Sequence, residues 1–510
     1  MKKTFLSILV LCCSISSFAQ QIIGKIIDND LQEPIPFVNI QLSDSKGTIS
    51  NNEGVYRLDV EGYEPSHLVT FSSMGFEELQ ISIQELQQNS DIVLTFSNEV
   101  LDQVFVTNKE LSALEIIEKF KENRAENHQL GQKRYRLFYR DRQSFKPEQM
   151  IFELKKATNL TKKARKQINK SMLELNDDIS GSTSLSFYES LRDLYIQDTT
   201  LVDLKKKIYL ADSDAKKDVE EYQEQAIMKL FQNFDSEYGF KVKLGLITLT
   251  DSVEMNTSEN SVSIGTNDED DWEEEDSAEE NDTIAKKKKI SPDLSIERYP
   301  ELAYTKGQEL PDVLEEIKWY DYELLEPTIV KGRQQYVIRF EPGRRKGKFE
   351  GKMYIDREDF ALTQIDYKLA EGKSVFSLNL KLLGFEVDVY KAEKSIRFTK
   401  TDEGFYVPYY ASRSQGGYVF LRRTLTFIEN NPNRKERIKF KLRFIIEVEN
   451  EETSEWVLLE QENIEGKTLD SSNFAASLET ETVETYSPEI WKDYPIFEAT
   501  KEMKQYNFKE

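Results

Sequence analysis

Glu33-Pro34-Ile35-Pro36-Phe37-Val38-Asn39-Ile40-Gln41-Leu42 and, past the turn Ser43 to Gly47, Thr48-Ile49-Ser50-Asn51-Asn52-Glu53-Gly54-Val55-Tyr56-Arg57-Leu58-Asp59-Val60 decide the fold of the first part of this chain. Pro34 and Pro36 fix φ near about −65°, which forbids a helix and suits the approach to an edge strand. Asn51-Asn52-Glu53-Gly54 tolerates positive φ and so reverses the chain, and Val55 to Val60 alternates with the period of a half-buried strand. Working outward, Gln21 to Asp28 reads as the strand before this pair. Leu68 to Ser72, Leu79 to Ile83 and Ile92 to Phe96 read as the strands after it, with Met74-Gly75-Phe76 as a bend. Seven short strands with turns between them predict a seven-stranded β-sandwich over residues 20–98.

The same residues carry a resemblance. Gly24 and Asp28, then Glu33 to Ile40, then Gly47 to Tyr56, then Phe71-Ser72-Ser73-Met74-Gly75-Phe76 occur in the order of the carboxypeptidase regulatory-like domain. That family is a transthyretin-like (prealbumin-like) sandwich found at the N-termini of secreted Bacteroidetes envelope proteins and TonB-dependent receptors. The resemblance implies structural glycines and core positions, and it brings no catalytic residues. Val100-Leu101-Asp102-Gln103-Val104-Phe105-Val106 is similar to the segment that follows this domain in many such receptors. There a plug and barrel come next. Here Leu111 to Arg124 follows, with Leu111, Leu114, Ile117 and Phe120 at helical spacing, so residues 99–130 read as a connecting strand and an amphipathic helix.

Lys2-Lys3, an apolar stretch from Phe5 to Phe18, and Ser17-Phe18-Ala19 make a secretory signal peptide over residues 1–19, with Gln20 as the expected mature N-terminus. The alternatives are an anchor, for which 14 residues fall short of the ~20 that span a bilayer, and lipidation of Cys12 or Cys13. Both cysteines lie inside this segment, so the processed chain has no thiol chemistry and no cysteine-bound metal. The expected location is outside the cytoplasm, in the periplasm or associated with the outer membrane. A formal net charge of −24 argues against nucleic acid or an anionic lipid surface as the main partner. The 29 Phe and 24 Tyr, in a chain only 38% hydrophobic, favour antiparallel sheet with one wet face.

The expected fold class is therefore mainly β, a small sandwich followed by a larger antiparallel-sheet α+β region. Tyr135, Leu137 and Tyr139 alternate with Arg134, Arg136, Phe138 and Arg140, a strand whose basic face is expected to be solvated or paired with carboxylates. Residues 131–253 read as mixed helix and strand, helical or loop-like over 160–235, where Ile227, Leu230, Phe231 and Phe234 form a packing stripe. Asp268 to Asp282 holds 11 acidic residues in 15, and Lys286 to Lys289 follow, so residues 254–292 read as an acidic excursion that buries too little to fold. Calcium is the alternative reading of that block, but the Asp-x-Asp-x-Asp-Gly spacing is missing. Residues 293–475 form an antiparallel β-rich domain, and 476–510 a clasp or tail containing Trp491 and Tyr494. The hairpin from Phe349 to Asp356 with the strand Ala361 to Leu369 resembles the repeated hairpins of envelope lipoprotein-carrier folds.

Catalytic constellations are sparse. Of two histidines, His67 follows Glu64-Pro65, where the proline breaks the helix a Glu-x-x-His site needs, and His128 reads as a surface residue ending the helix. No Gly-x-Ser-x-Gly elbow, Gly-x-Gly-x-x-Gly or phosphate loop occurs. Asp356, Glu358 and Asp359 offer a carboxylate pair for glycoside hydrolysis, or a charged turn after a strand. The reading is a non-enzymatic envelope protein with no catalytic, cofactor or metal site and no transmembrane anchor in the mature chain. It binds or assembles an envelope protein, glycan or lipid, and the alternative is a carboxylate-dependent hydrolase of envelope polymer or peptide. One consequence is testable directly: intact mass of the protein recovered from cells should begin at Gln20, and retention of residues 1–19 or a lipid adduct on Cys12 or Cys13 would refute it.

Overall fold

The computed structural model describes residues 21–97, 111–179, 183–210, 238–265, 299–469 and 474–506, apart from a few positions within those spans, together with Phe234. The expected signal segment with its Gln20 start, Val100 to Val106, the stripe residues Ile227 to Phe231, and the charged runs Asp268 to Asp282 and Lys286 to Lys289 lie outside the described residues.

Seven strands build the N-terminal module: β1 (Gln21–Asp28), β2 (Asn39–Ser43), β3 (Lys46–Ile49), β4 (Val55–Asp59), β5 (Leu68–Ser72), β6 (Leu79–Ser82) and β7 (Ile92–Leu94). One sheet has the order β4-β1-β7, with β7 parallel to β1, and the other has the order β3-β2-β5-β6. Alternate residues of β1, among them Ile22 and Ile26, turn into a core shared with Ile40, Tyr56, Val69 and Phe71. Asn51 Oδ1 accepts the backbone N–H groups of Glu53 and Val55 at 3.0 and 2.9 Å, which closes the turn before β4. Gly54 completes that turn at φ 74°, where a Cβ would come within 2.6 Å of the Ile26 carbonyl. Two local expectations change. Phe37 does not open a strand: it takes φ 57°, and pairing begins at Asn39. Ile83 leaves the strand for a helix, α1 (Ile83–Gln88), because Ser82 and Glu85 form a capping box.

The helix α2 (Ala113–Asn127) starts on a second capping box, Ser112 with Glu115, and buries Ala113, Ile116, Ile117 and Phe120. Leu114, expected on the packing face, is exposed. Beyond it lie β8 (Lys133–Ala157), α3 (Lys162–Ile179), β9 (Ser184–Ile196), β10 (Thr200–Leu210), β11 (Phe240–Leu244), β12 (Ile247–Asn256) and β13 (Ser261–Gly265). Two short helices, α4 (Tyr299–Leu302) and α5 (Asp312–Glu315), precede the strands β14 (Tyr320–Val330), β15 (Arg333–Pro342), β16 (Phe349–Asp356), β17 (Leu362–Leu369) and β18 (Phe376–Leu380). The long strands β19 (Phe385–Lys400), β20 (Tyr406–Glu429) and β21 (Lys439–Asn463) come next, then β22 (Glu481–Val483) and α6 (Lys501–Gln505).

These strands form one sheet in the order β14-β15-β16-β17-β19-β20-β21-β8-β9-β10-β22, antiparallel throughout except for the last pair. β18 joins the first half of β19, and the run β11-β12-β13 joins the far end of β20. The separation of residues 131–253 from 293–475 therefore dissolves, because β8 pairs with β21 from Lys133↔Asn463 to Phe440↔Ala157. Residues 184–210, expected to be helical or loop-like, are the strands β9 and β10. The first part of the stretch expected to be an acidic excursion, up to Gly265, contains the pairing of β12 with β13.

One face of the sheet packs on α2 and on residues 299–320 through Tyr135, Leu137, Ile338, Met353, Ile365 and Trp456. Tyr299 donates its hydroxyl to the Pro408 carbonyl at 2.7 Å across this layer. The opposite face receives the N-terminal module and the C-terminal segment, which acts as a clasp. Trp491 is fully buried there against Phe138 and donates its indole N–H to Glu189 Oε2 at 2.8 Å. Arg140 donates to Glu189 Oε1 at 2.8 and 2.6 Å, and to the carbonyls of Phe497 and Glu498 at 2.9 and 3.1 Å. Arg57 of β4 reaches Glu498 at 2.5 Å, and Asn51 donates to the Ala499 carbonyl at 3.2 Å, so sandwich, clasp and sheet share one buried polar junction. Replacing Arg140 by Met should lower stability by ~3–5 kcal/mol, because Glu189 is left buried and unpaired, while the double change R140M/E189M should cost less. Urea midpoints of the three proteins check this, and equal losses in single and double variants would contradict it.

Candidate functional site

Between the sheet, the N-terminal module and the clasp lies a cavity of about 1030 Å³. Its lining follows from the period of two along each strand. On β16, Glu350, Lys352 and Tyr354 face the cavity while Met353 and Ile355 turn into the core. On β20, Ser412 and Ser414 face it while Ala411 turns away, and on β21, Glu451, Thr453 and Glu455 face it while Trp456 turns away. The lining reaches from β15 through β21 to Arg140 and Arg142 of β8 and Phe187 of β9. Phe37 of the sandwich and Thr500 and Glu502 of the clasp complete it.

Phe37 is placed by its unusual backbone. A non-glycine residue at positive φ is strained, and such strain persists where surroundings hold it. Its ring stacks on Tyr410 at 4.6 Å, the Arg397 guanidinium lies 5.2 Å from it, and Arg397 donates to the Phe37 carbonyl at 2.9 Å. Sequence reading assigned Phe37 to a strand and missed this role, although its position after Pro36 was the available signal.

The walls carry both signs of charge. Arg142 makes a two-bond pair with Glu502 at 2.8 Å on each arm, and Lys391 pairs with Glu451. Asp366 accepts the Ser395 hydroxyl at 2.5 Å. Burial lowers the Lys394 pKa to about 8, helped by Arg413, and puts it close to neutral pH as a weakly held cation. Burial pushes the Glu455 carboxyl up, while Arg140 and the Tyr410 hydroxyl, which donates to it at 3.1 Å, pull the other way. Arg140 itself is held above its usual range: burial opposes its charge, but Glu189 and then Glu455 more than offset that. The cavity floor is thus aromatic and its walls are hydrogen-bonding, with the basic face of β8 paired to carboxylates as expected. Arg134 and Arg136 meet Asp193 and Glu460 in the same manner.

The carboxylates singled out in the sequence lie elsewhere. Asp356 receives two N–H groups of Arg333 at 2.7 Å each and the backbone N–H groups of Glu358 and Asp359 at 2.9 and 3.0 Å. Asp359 is bound by Arg333, Lys400 and the Tyr406 hydroxyl, and Glu358 pairs with Arg333 at 2.9 Å. Burial works to raise Asp356 and Asp359, but Arg333 for the first and Lys400 for the second keep both below the ordinary carboxylate range. They form a braced turn between β16 and β17. Nor are the histidines brought together: His67 meets the Leu42 carbonyl at 2.5 Å and the Tyr63 ring in the sandwich, whereas His128 sits in the core of the large sheet. Among the described residues no group of three or more His, Cys, Asp or Glu side chains is placed to hold a metal, and no described helix is long and apolar enough to cross a membrane.

Residues 22–106 match the family model described as the CarboxypepD_reg-like domain, which bears out the resemblance read from Gly24 to Phe76. That domain is of a non-catalytic, regulatory or binding type. No curated protein and no solved structure matches the chain.

His128 departs most from expectation. It caps the C-terminus of α2 but is fully buried among Phe120, Phe398 and Tyr406, and neither ring nitrogen meets a hydrogen-bond partner of good geometry. Burial drives its pKa down to about 3, with the Ala303 backbone opposing. Below the ordinary histidine value the unfolded chain binds a proton that the folded one refuses, so stability is lost as pH falls from roughly 6.5 toward 3, by ~2 kcal/mol at pH 5. Buried Asp141, raised to about 7 by burial and then by Glu452, acts in the opposite sense over the same range. The difference between wild type and His128→Phe isolates the histidine. It should shift by ~2 kcal/mol in favour of the variant between pH 8 and pH 5, and a constant difference would refute a neutral buried His128.

Proposed function

We propose that this is an exported, non-catalytic envelope protein whose cavity holds a polar ligand, a polypeptide segment or glycan of the envelope, with the N-terminal module forming one wall. The observation that carries this reading is the cavity lining: Tyr354, Tyr367 and Tyr410 lie beside Arg142, Lys352, Lys394, Asp366 and Ser412. Specific sites orient their ligands with placed polar groups over an aromatic or apolar surface. An acyl chain in this volume would take water from Lys352, Lys394 and the Arg142–Glu502 pair and replace none of its hydrogen bonds, so a lipid is a poor occupant. The regulatory-like module has a part in the site through Phe37, Asn52 and Glu53, which gives a domain with no chemistry of its own a recognisable use. The hydrolase alternative loses the residues assigned to it, since Asp356 and Asp359 are both fixed by cations in a turn.

The test is a photoreactive phenylalanine in place of Tyr354, cross-linked in cells and analysed by mass. Adducts with polypeptide or glycan are expected, and Ser412→Trp, which takes up part of the cavity, should reduce them severalfold with the thermal midpoint nearly unchanged. Phospholipid or fatty-acyl adducts that fall in the same way in the Ser412→Trp variant would replace this reading with a lipid carrier.

A further inference from the structure

At the end of β19 away from its cavity-lining residues Lys391 to Ser395, the hairpin of β18 and β19 ends in a tight turn, Lys381–Leu383, whose two leucines face water. Leu382 is 98% exposed and its neighbour Leu383 is 73% exposed. Phe376, Leu378 and Leu380, all exposed, alternate onto one face of β18, opposite Val389, Val387 and Phe385. The apolar surface therefore runs from the apex down one face of the hairpin.

The apex is held in shape. Gly384 ends the turn at φ 79°, where a Cβ would meet the Arg422 carbonyl at 2.3 Å, so only glycine lets β20 approach this closely. Arg422 N–H donates to the Gly384 carbonyl at 2.8 Å, and Arg423 Nη1 donates to the carbonyls of Leu383 and Gly384 at 2.7 and 2.5 Å. A turn braced at this many points presents its two leucines outward as a fixed feature. Cations stand beside them: Lys381 lies 5.2 Å from the Phe420 ring, and Arg422 and Arg423 lie 5.9 Å from Phe420 and Phe385. Glu386 pairs with Lys381 at 3.3 Å, and neither Arg422 nor Arg423 has an ion-pair partner among the described residues.

We propose that this hairpin tip inserts into the surface of a phospholipid bilayer. The turn carries two outward leucines with cations at the same level, Lys381 within it and Arg422 and Arg423 beside it, so the leucines enter the hydrocarbon while the cations meet the phosphates at its edge. The two arginines answer the charge of lipid phosphates, which an overall net charge of −24 does not, so the contact is local to the tip. A second copy of the chain is a weaker occupant, because a stable protein interface needs about 800 Å² per partner with matching shape, whereas this strip is one turn and one strand wide. A bilayer needs no matching shape.

The experiment is flotation of the chain starting at Gln20 with vesicles of phosphatidylethanolamine and phosphatidylcholine, with and without a minor fraction of phosphatidylglycerol. Wild type should float with the vesicles, and L382D/L383D should weaken the partition by roughly a hundredfold, about tenfold per leucine, with an unchanged thermal midpoint. Arg422→Glu should weaken it severalfold, most where phosphatidylglycerol is present. In a separate Leu382→Trp variant, tryptophan emission should shift to the blue on vesicle addition and be quenched by brominated acyl chains. Failure of wild type to float, flotation unaffected by L382D/L383D, or a lipid-independent dimer that those changes dissolve would each overturn the proposal. The cavity is untouched by these variants, so the two proposals stand or fall separately.

Discussion

The Arg140–Glu189 pair is the constraint on which the rest of the structure depends. A guanidinium and a carboxylate taken out of water are costly unless every donor and acceptor is met. Here most of those bonds come from groups far apart in the chain: the Trp491 indole takes the second carboxylate oxygen, and the carbonyls of Phe497 and Glu498 take two of the three guanidinium protons that Glu189 leaves. Satisfying this one pair pins the C-terminal segment to the sheet. Glu498 then reaches Arg57, and the Ala499 carbonyl reaches Asn51, so the sandwich is docked by the consequences of the same junction. The cavity exists because three bodies meet around this point without filling the space between them.

The large sheet supplies the site through a simple rule. With strands as long as Tyr406–Glu429 and Lys439–Asn463, alternate residues serve two different interiors. Trp456 and Ala411 belong to the apolar layer under α2, and Glu455 and Ser412, their neighbours in sequence, belong to the cavity. Charged residues that look like a wet face are in fact a lining. The Arg333, Asp356 and Asp359 turn shows the same chemistry used differently. There the carboxylates are consumed by cations and by backbone N–H groups, and they hold the connection from β16 to β17 instead of facing a ligand.

Much of the fold was legible because its signals are local. The alternation of Val55 to Asp59, the turn at Asn51 to Gly54 and the helical spacing of Ile117 and Phe120 are each written within a few residues, and each is found. The misses are of one kind. Residues 184–210 contain Glu189, Arg192, Asp193 and Asp203, and so many charges suggest a surface segment. Glu189 and Asp193 meet Arg140, Arg134 and Arg136 of β8, which turns charge into burial. His128 was placed at the surface for the same reason: its helix ends there in the sequence, but Phe398 and Tyr406, more than two hundred residues later, close over it.

By itself the sequence determined the seven-stranded module, its regulatory-like character, the mainly β class and the lack of a nucleophile elbow or a phosphate loop. These rest on backbone conformation and on period, which neighbouring residues dictate. Only the tertiary structure decided that 131–253 and 293–475 are one sheet, that Phe37 turns into a cavity, that Trp491 belongs to a clasp, and that Leu382 stands in water. Period tells which residues share a face, but what that face meets depends on pairing between strands such as β8 and β21, about three hundred residues apart. That pairing is selected by the summed burial and ion pairing of the whole sheet, and no short stretch of residues contains it.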